Sequence, residues 1–249
     1  MTPLYQNRRE AGQLLARALE DYAGRDDVLV LALSCGGAPV AVEVADVLSA
    51  PLDVMVIQQI SVPQHDAWQT ERSMGVVASG GVRILYAEVV DALKLPSEEI
   101  EQAVAFAHKE LISKERAYRG LRPPPDVRGR VVILVDDGIG TVSPMRAAIE
   151  AMRTCGAARV IVAAPVGSAA GCEQLARQAD EVFCLRQLSC SIIPLFYRDF
   201  PRVTEEEVHA LLNRCPSGCA SPVAEVPVQG ETGIASAERH SGSRNAGRG

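Results

Sequence analysis

Apolar positions along the chain fall into two rhythms. Short, mostly apolar runs at 28–33, 52–57, 131–135, 159–164 and 182–185 have the length of strands buried on both faces. Between them the spacing lengthens to a helical period. Residues 8–23 place Ala11, Leu14, Leu15, Ala18, Leu19 and Tyr22 on one side, and Gly24 stops the pattern. Val40, Val44, Val47 and Leu48 mark a second helix after the turn Ser34-Cys35-Gly36-Gly37-Ala38-Pro39, and Met145, Ile149 and Met152 a third. Cys172, Leu175, Ala176 and Ala179 stripe another. Thr204-Glu205-Glu206-Glu207 is a capping box that opens a last short helix with Val208, Leu211 and Leu212. Strand, helix and strand in turn predict right-handed crossovers and an α/β fold, a five-stranded mainly parallel sheet flanked by helices.

The alternation stops between residues 58 and 130. Two short strands about Gly80-Gly81, residues 75–79 and 82–85, read as a hairpin, because paired glycines supply positive φ. Ser97, Glu98 and Glu99 open a helix favourably, and Ile100, Val104, Ala107 and Leu111 stripe it to about Tyr118. Pro123-Pro124-Pro125 is a stiff return. The expected organisation is one domain over 1–214 with a hood and flexible-loop insertion at 58–130. Residues 215–249, rich in Ser, Gly, Ala and Pro without apolar period, are expected to be a disordered tail.

Composition narrows the class further. The chain has 249 residues, 47% hydrophobic, with a formal net charge of −6. That balance gives no electrostatic footprint for nucleic acid. No apolar run approaches the roughly 18 residues of a membrane span, and the first ten residues lack a signal-peptide core. A cytoplasmic protein is expected, its seven cysteines reduced thiols.

The chemistry concentrates at Val131-Val132-Ile133-Leu134-Val135-Asp136-Asp137-Gly138-Ile139-Gly140-Thr141. Two carboxylates end a buried strand, and small residues lead into a helix. Open parallel sheets bind ligands at the carboxyl ends of their strands. Carboxylates there accept from sugar hydroxyls or hold a hydrated Mg²⁺, and the amides of the following turn can cradle phosphate.

This string resembles the phosphoribosyl pyrophosphate loop of the type I phosphoribosyltransferases. The resemblance extends to Asn7-Arg8-Arg9-Glu10-Ala11-Gly12, Gly36-Gly37-Ala38-Pro39-Val40, Gly75-Val76-Val77-Ala78-Ser79-Gly80-Gly81, Arg116-Ala117-Tyr118-Arg119 and Tyr197-Arg198-Asp199-Phe200. It spans roughly residues 5–213 and is similar to a bacterial and archaeal subgroup of phosphoribosyltransferase-like proteins. What it implies is Mg²⁺-dependent transfer of phosphoribose from its pyrophosphate to a nitrogenous base. Asp136 and Asp137 would face the ribose and the metal's water shell. Gly138, Gly140, Thr141 and Ser143 would hold the phosphate, and Gly36 and Gly37 the pyrophosphate through backbone amides. Arg72, in the 60–74 loop, is a candidate to reach a phosphate on closure. Mg²⁺ would be bound mainly through the ligand, with no metal held by protein groups alone. The implied partners are a phosphorylated sugar or nucleotide and a second copy of the chain, with no nucleic acid or membrane.

The ligand loops depart from the family pattern. Val142 stands where a glycine is usual, a costly exchange if φ is positive there, and Pro144 replaces a threonine. Cys35 takes the place of a basic residue, and Gln58-Gln59 that of a basic pair; Pro194 stands where a base-facing glycine is usual. In the plainer reading of the turn, Ser143 is an N-cap and Pro144 the first helical residue. The departures keep a second function open: a catalytically degenerate binding or regulatory protein on the same fold. A third, a cysteine hydrolase built on Cys35 and His65, stands well behind, since a buried inert thiol is the commoner state.

Overall fold

The structure is a computed structural model that describes residues 3–62, 73–189 and 192–214. Arg72, His65, Trp68 and the 215–249 segment, all singled out above or in the same loop, lie outside the described residues.

Strands β1 (Val28–Leu33), β2 (Leu52–Met55), β6 (Val131–Val135), β7 (Arg159–Ser168) and β8 (Glu181–Leu188) form one five-stranded sheet in the order β2-β1-β6-β7-β8. Every pairing in it is parallel. The apolar runs conceal a period of two. Val28, Val30, Ala32, Val131, Ile133 and Val135 enter one core cluster, while Leu29, Leu31, Leu33, Val132 and Leu134 enter another on the opposite face. Helices α1 (Arg8–Ala18), α2 (Ser34–Leu48) and α7 (Glu205–Arg214) cover the first face; α5 (Ser143–Thr154) and α6 (Ala169–Ala176) cover the second.

The insertion is more elaborate than a hairpin and one helix. Strands β3 (Ile57–Ser61), β4 (Ser73–Ala78) and β5 (Val82–Leu85) form a three-stranded antiparallel sheet. Gly80 and Gly81 turn its expected hairpin at φ +86° and +77°. The run 52–57, expected as one strand, breaks at Val56, whose amide bonds Ser79 Oγ at 3.0 Å, and the chain passes from one sheet to the other. A short helix α3 (Ala87–Leu93) precedes α4 (Ser97–Arg119), which ends one residue beyond expectation. Arg119 anchors α4 to the main sheet through Nε on Asp53 Oδ1 of β2 at 2.7 Å, while its Nη1 bonds Glu115 of the same helix at 2.8 Å.

Three local expectations are corrected. The first helix stops at Ala18, with a 3-10 turn over Glu20–Tyr22 completing the stretch read as continuous. The Ser34–Pro39 stretch is no separate turn, because α2 begins at Ser34 and takes both glycines and Pro39 into itself. β7 runs on to Ser168 through Pro165 and Gly167, four residues past the expected 164. The capping box of the last helix forms as expected: Thr204 Oγ1 accepts from Glu207 N at 3.2 Å, and Glu207 Oε2 from Thr204 N at 2.8 Å.

Candidate active site

The carboxyl ends of β1 and β2 open into a cleft of about 1050 Å³ whose far wall is α4. A smaller lobe of about 240 Å³ lies over the loop that follows β6. Leu33 and Pro144 line both, so the two spaces adjoin.

Asp136 and Asp137 sit together at the strand end but are held differently. Asp136 Oδ1 accepts from the Asp137 amide at 3.0 Å and from Ser34 Oγ at 3.3 Å. No described residue donates to its Oδ2. Burial, together with the Asp137 charge, raises its pKa well above the ordinary carboxylate value. Asp137 Oδ2 receives Arg8 Nε at 2.8 Å in a largely buried ion pair. Burial also raises the Asp137 pKa, while Arg8 opposes the shift.

The placement of Arg8 follows from the chain ends. Residues 4–6 bond the backbone of 196–199, with Arg198 N on Tyr5 O and Asp199 N on Gln6 O, each at 2.9 Å. Asn7 then caps α1 by accepting from Glu10 N at 3.0 Å. This sets Arg8 over Phe200, 3.6 Å from the ring centroid, with Nη1 on Pro201 O at 2.7 Å. Tyr197 completes the clamp by donating from its hydroxyl to Asp137 O at 2.6 Å. Arg8, Tyr197 and Phe200 were visible only as shared motif residues, without a role. Arg8 and Tyr197 reach Asp137 from opposite ends of the sequence, and Phe200 packs against Arg8.

Gly36 and Gly37 have a packing reason. A Cβ on Gly37 would lie 2.7 Å from Val135 O and 3.0 Å from Asp136 Cα; one on Gly36 would lie 2.5 Å from Asp137 Oδ2. The glycines therefore allow the first turn of α2 to rest against the acidic strand end, where the helix dipole favours negative charge. Gly36 lines the cleft, whereas Gly37 is buried against β6. Ser34, which leads into this turn, holds φ +72°, a conformation non-glycine residues adopt rarely.

In the loop after β6, Ile139 is tied to β7 through its amide on Val166 O at 2.9 Å. The amides of Gly138, Gly140 and Thr141 make no hydrogen bond with described residues. All three residues line the smaller lobe. Gly138 is needed for space, since a Cβ there would come within 2.6 Å of the Ile193 side chain. Val142 lies at φ −81° and ψ −27°, so its β-branch carries no penalty of the kind expected from a positive φ. It also occupies the N-cap position of α5 without a side-chain bond. Ser143 is the first helical residue rather than the cap, is exposed, and lines neither lobe. Pro144 sits in the first turn of α5, where its missing N–H is harmless.

Cys35 touches Tyr118 of α4, with Sγ and the hydroxyl 3.0 Å apart. Burial and that contact raise the Tyr118 pKa. His65, the base named for the cysteine-hydrolase reading, lies outside the described residues, and no histidine among the described residues lines the cleft. No group of three or more His, Cys, Asp or Glu suited to a metal ion exists among the described residues.

An acid pair at the end of a central parallel strand, an open-amide turn after it, and an inserted sheet and helix beside the sheet define an α/β fold of the type I phosphoribosyltransferase class. The chain belongs to the phosphoribosyl transferase family, whose domain model, described as "Phosphoribosyl transferase domain", matches residues 3–198. Two Mycobacterium tuberculosis proteins, from strains CDC 1551 / Oshkosh and ATCC 25618 / H37Rv, are each 35% identical over 237 residues. Both carry the name "Putative phosphoribosyl transferase". The match covers 92% of this chain and 52% of theirs, so the chain spans about half the length of these relatives. Among solved structures, TT1426 from Thermus thermophilus superposes with a TM-score of 0.73 at 34% identity, over 85% of this chain and 98% of that one.

Proposed function

We propose that the chain binds phosphoribosyl pyrophosphate with Mg²⁺ in the cleft and transfers phosphoribose to a nitrogenous base. The observation that carries this reading is Asp136, whose Oδ2 has no donor among the described residues and which lines the same lobe as Gly138, Gly140 and Thr141, residues with open amides. In this reading Asp136 accepts from the ribose hydroxyls and the amides of Gly138, Gly140 and Thr141 receive the 5-phosphate. Asp137 keeps the strand end in place through Arg8 and is the second carboxylate toward the ribose. Hard carboxylate oxygens suit Mg²⁺, which keeps most of its waters and binds chiefly through ligand phosphates, so it needs no three-ligand protein site. When bound, the ion would offset charge on the leaving pyrophosphate.

A binding or regulatory role without turnover is the second reading. It is favoured by Cys35, a neutral residue at the turn where the leaving group needs cations. A homodimer belongs to the proposal as well.

The test is thermal unfolding with phosphoribosyl pyrophosphate, with and without Mg²⁺. Ligand at 100 times its Kd stabilises a native state by about 2.7 kcal/mol. A Mg²⁺-dependent rise is expected, followed by turnover in a screen of acceptor bases. No rise at millimolar ligand in a folded sample sinks both ligand assignments. Binding without turnover, with turnover gained in Cys35→Arg/Pro144→Thr, selects the second reading.

A further inference from the structure

Departure of pyrophosphate leaves several negative charges in the cleft, and charge of that size needs cations within reach. Arg8, Lys114 and Arg202 line the space. Arg8 is committed to Asp137, Pro201 O and the Phe200 ring. Arg202 shares its wall with Glu205 and Glu206. Lys114 differs from both. Its Nζ donates to a neutral partner, Gln58 Oε1, at 2.7 Å, and no carboxylate among the described residues pairs with it. It is half-buried on α4, one helical turn before Tyr118, the residue that touches Cys35. Lys114 and Tyr118 therefore present one face of α4 to the Ser34-Cys35-Gly36 side of the cleft.

We propose, resting on the transferase reading above, that Lys114 is the cation that receives the pyrophosphate group, with Gln58 positioning it. The charge absent from residue 35 is then supplied across the cleft by α4, and the charge absent from residue 58 by its hydrogen-bonded neighbour. In the transfer, the C1′–O bond breaks and its electron pair leaves on the pyrophosphate oxygen. The acceptor nitrogen forms the C1′–N bond and releases its proton to solvent. Lys114 stays an ammonium throughout and stabilises the departing oxygens. Its hydrogen bond with Gln58 is the weaker charge-to-neutral kind, which a phosphate oxygen can displace.

Calorimetric titrations with inorganic pyrophosphate, ribose 5-phosphate and phosphoribosyl pyrophosphate, all with Mg²⁺, test this. In Lys114→Gln, affinity for the two pyrophosphate-bearing ligands falls about tenfold or more, the size of a lost charge-assisted hydrogen bond. Affinity for ribose 5-phosphate stays within about twofold, because the change is local to one end of the cleft. Lys114→Arg retains pyrophosphate binding to within about threefold, since the charge is kept. Gln58→Glu, which neutralises Lys114 without touching α4, reproduces the selective loss and serves if Lys114→Gln does not fold. An unchanged pyrophosphate affinity, or an equal loss for ribose 5-phosphate, overturns the assignment of Lys114 alone. Wild-type protein that binds none of the three overturns the transferase reading with it.

Discussion

At the end of β6 two carboxylates share a space that water enters only partly, and both titrate above the ordinary carboxylate value. The causes are burial for each and, for Asp136, the charge of its neighbour. A folded-state pKa raised above the unfolded one means that the native state holds the extra proton. The resulting stability is fully present below the unfolded value and is lost as pH rises through the folded one. Exposed acids such as Asp27, Glu101 and Asp126 are shifted downward by arginine partners and act below that window. Ligand-free protein is therefore expected to lose stability in denaturant titrations as pH rises above the ordinary carboxylate range. Asp136→Asn should flatten that decline and add about 0.5–2 kcal/mol toward its alkaline end, in the range of single stabilising substitutions. The same variant should lose the Mg²⁺-dependent ligand shift. A variant less stable than wild type at that alkaline end would remove the argument. Arg8→Ala should do the opposite: it strands a buried carboxylate, at a cost of about 3–5 kcal/mol. Adding Asp137→Asn should return part of that loss. The acid pair was legible through the wider motif resemblance, since two aspartates after five apolar residues can equally be a polar strand end. Arg8 was not, because its contact with Asp137 spans 129 residues and no local spacing encodes it.

Elements settle how the carboxylates are presented. Glycine and proline between Gly36 and Pro39 read as a turn by local propensity, yet the helix includes them. Their reason is tertiary: Gly37 lies where a side chain would strike Val135 O and Asp136 Cα, backbone atoms that move only if β6 moves. Gly37→Ala is expected to cost about 1–3 kcal/mol, as overpacking does, and to weaken ligand binding by displacing Asp136. Guanidinium unfolding together with titration of ribose 5-phosphate checks both parts. If stability falls and affinity holds, the contact serves packing alone. The same override by tertiary contacts hid the ends of two strands. β7 continues past Ala164 because Val166, Gly167 and Ser168 pair with Arg186, Gln187 and Leu188 of β8, and Gly167 also bridges Ile139 in the turn after β6. Gln58 and Gln59, expected only to follow the second strand, lie in β3, because one sheet ends at Met55 and another begins at Ile57.

In the whole molecule the cleft is a seam between two bodies of unequal burial. The five-stranded sheet is packed on both faces, and β1 and β6 have no exposed residue. The insertion is lighter: α3 buries no side chain, and α4 buries only Ala107, Leu111, Tyr118 and Arg119 along 23 residues. Two of those four, Tyr118 and Arg119, are the contacts that join it to α2 and β2. Regions with few buried contacts open at lower free energy than the global unfolding reaction. Amides of β4, β5 and α4 should then exchange as a group, ahead of β1, β6 and the core of β7. Arg119→Ala should widen that gap, because it leaves Asp53 buried without its cation. A ligand held by Asp136 and the 138–141 turn on one side and by Lys114 on the other would bridge the seam. Phosphoribosyl pyrophosphate should consequently slow exchange along α4 as well as around β6. Ribose 5-phosphate, lacking the group that reaches Lys114, should protect only the β6 side. Equal protection of α4 by both ligands would mean that the insertion closes over the sugar phosphate and takes no part in holding the leaving group.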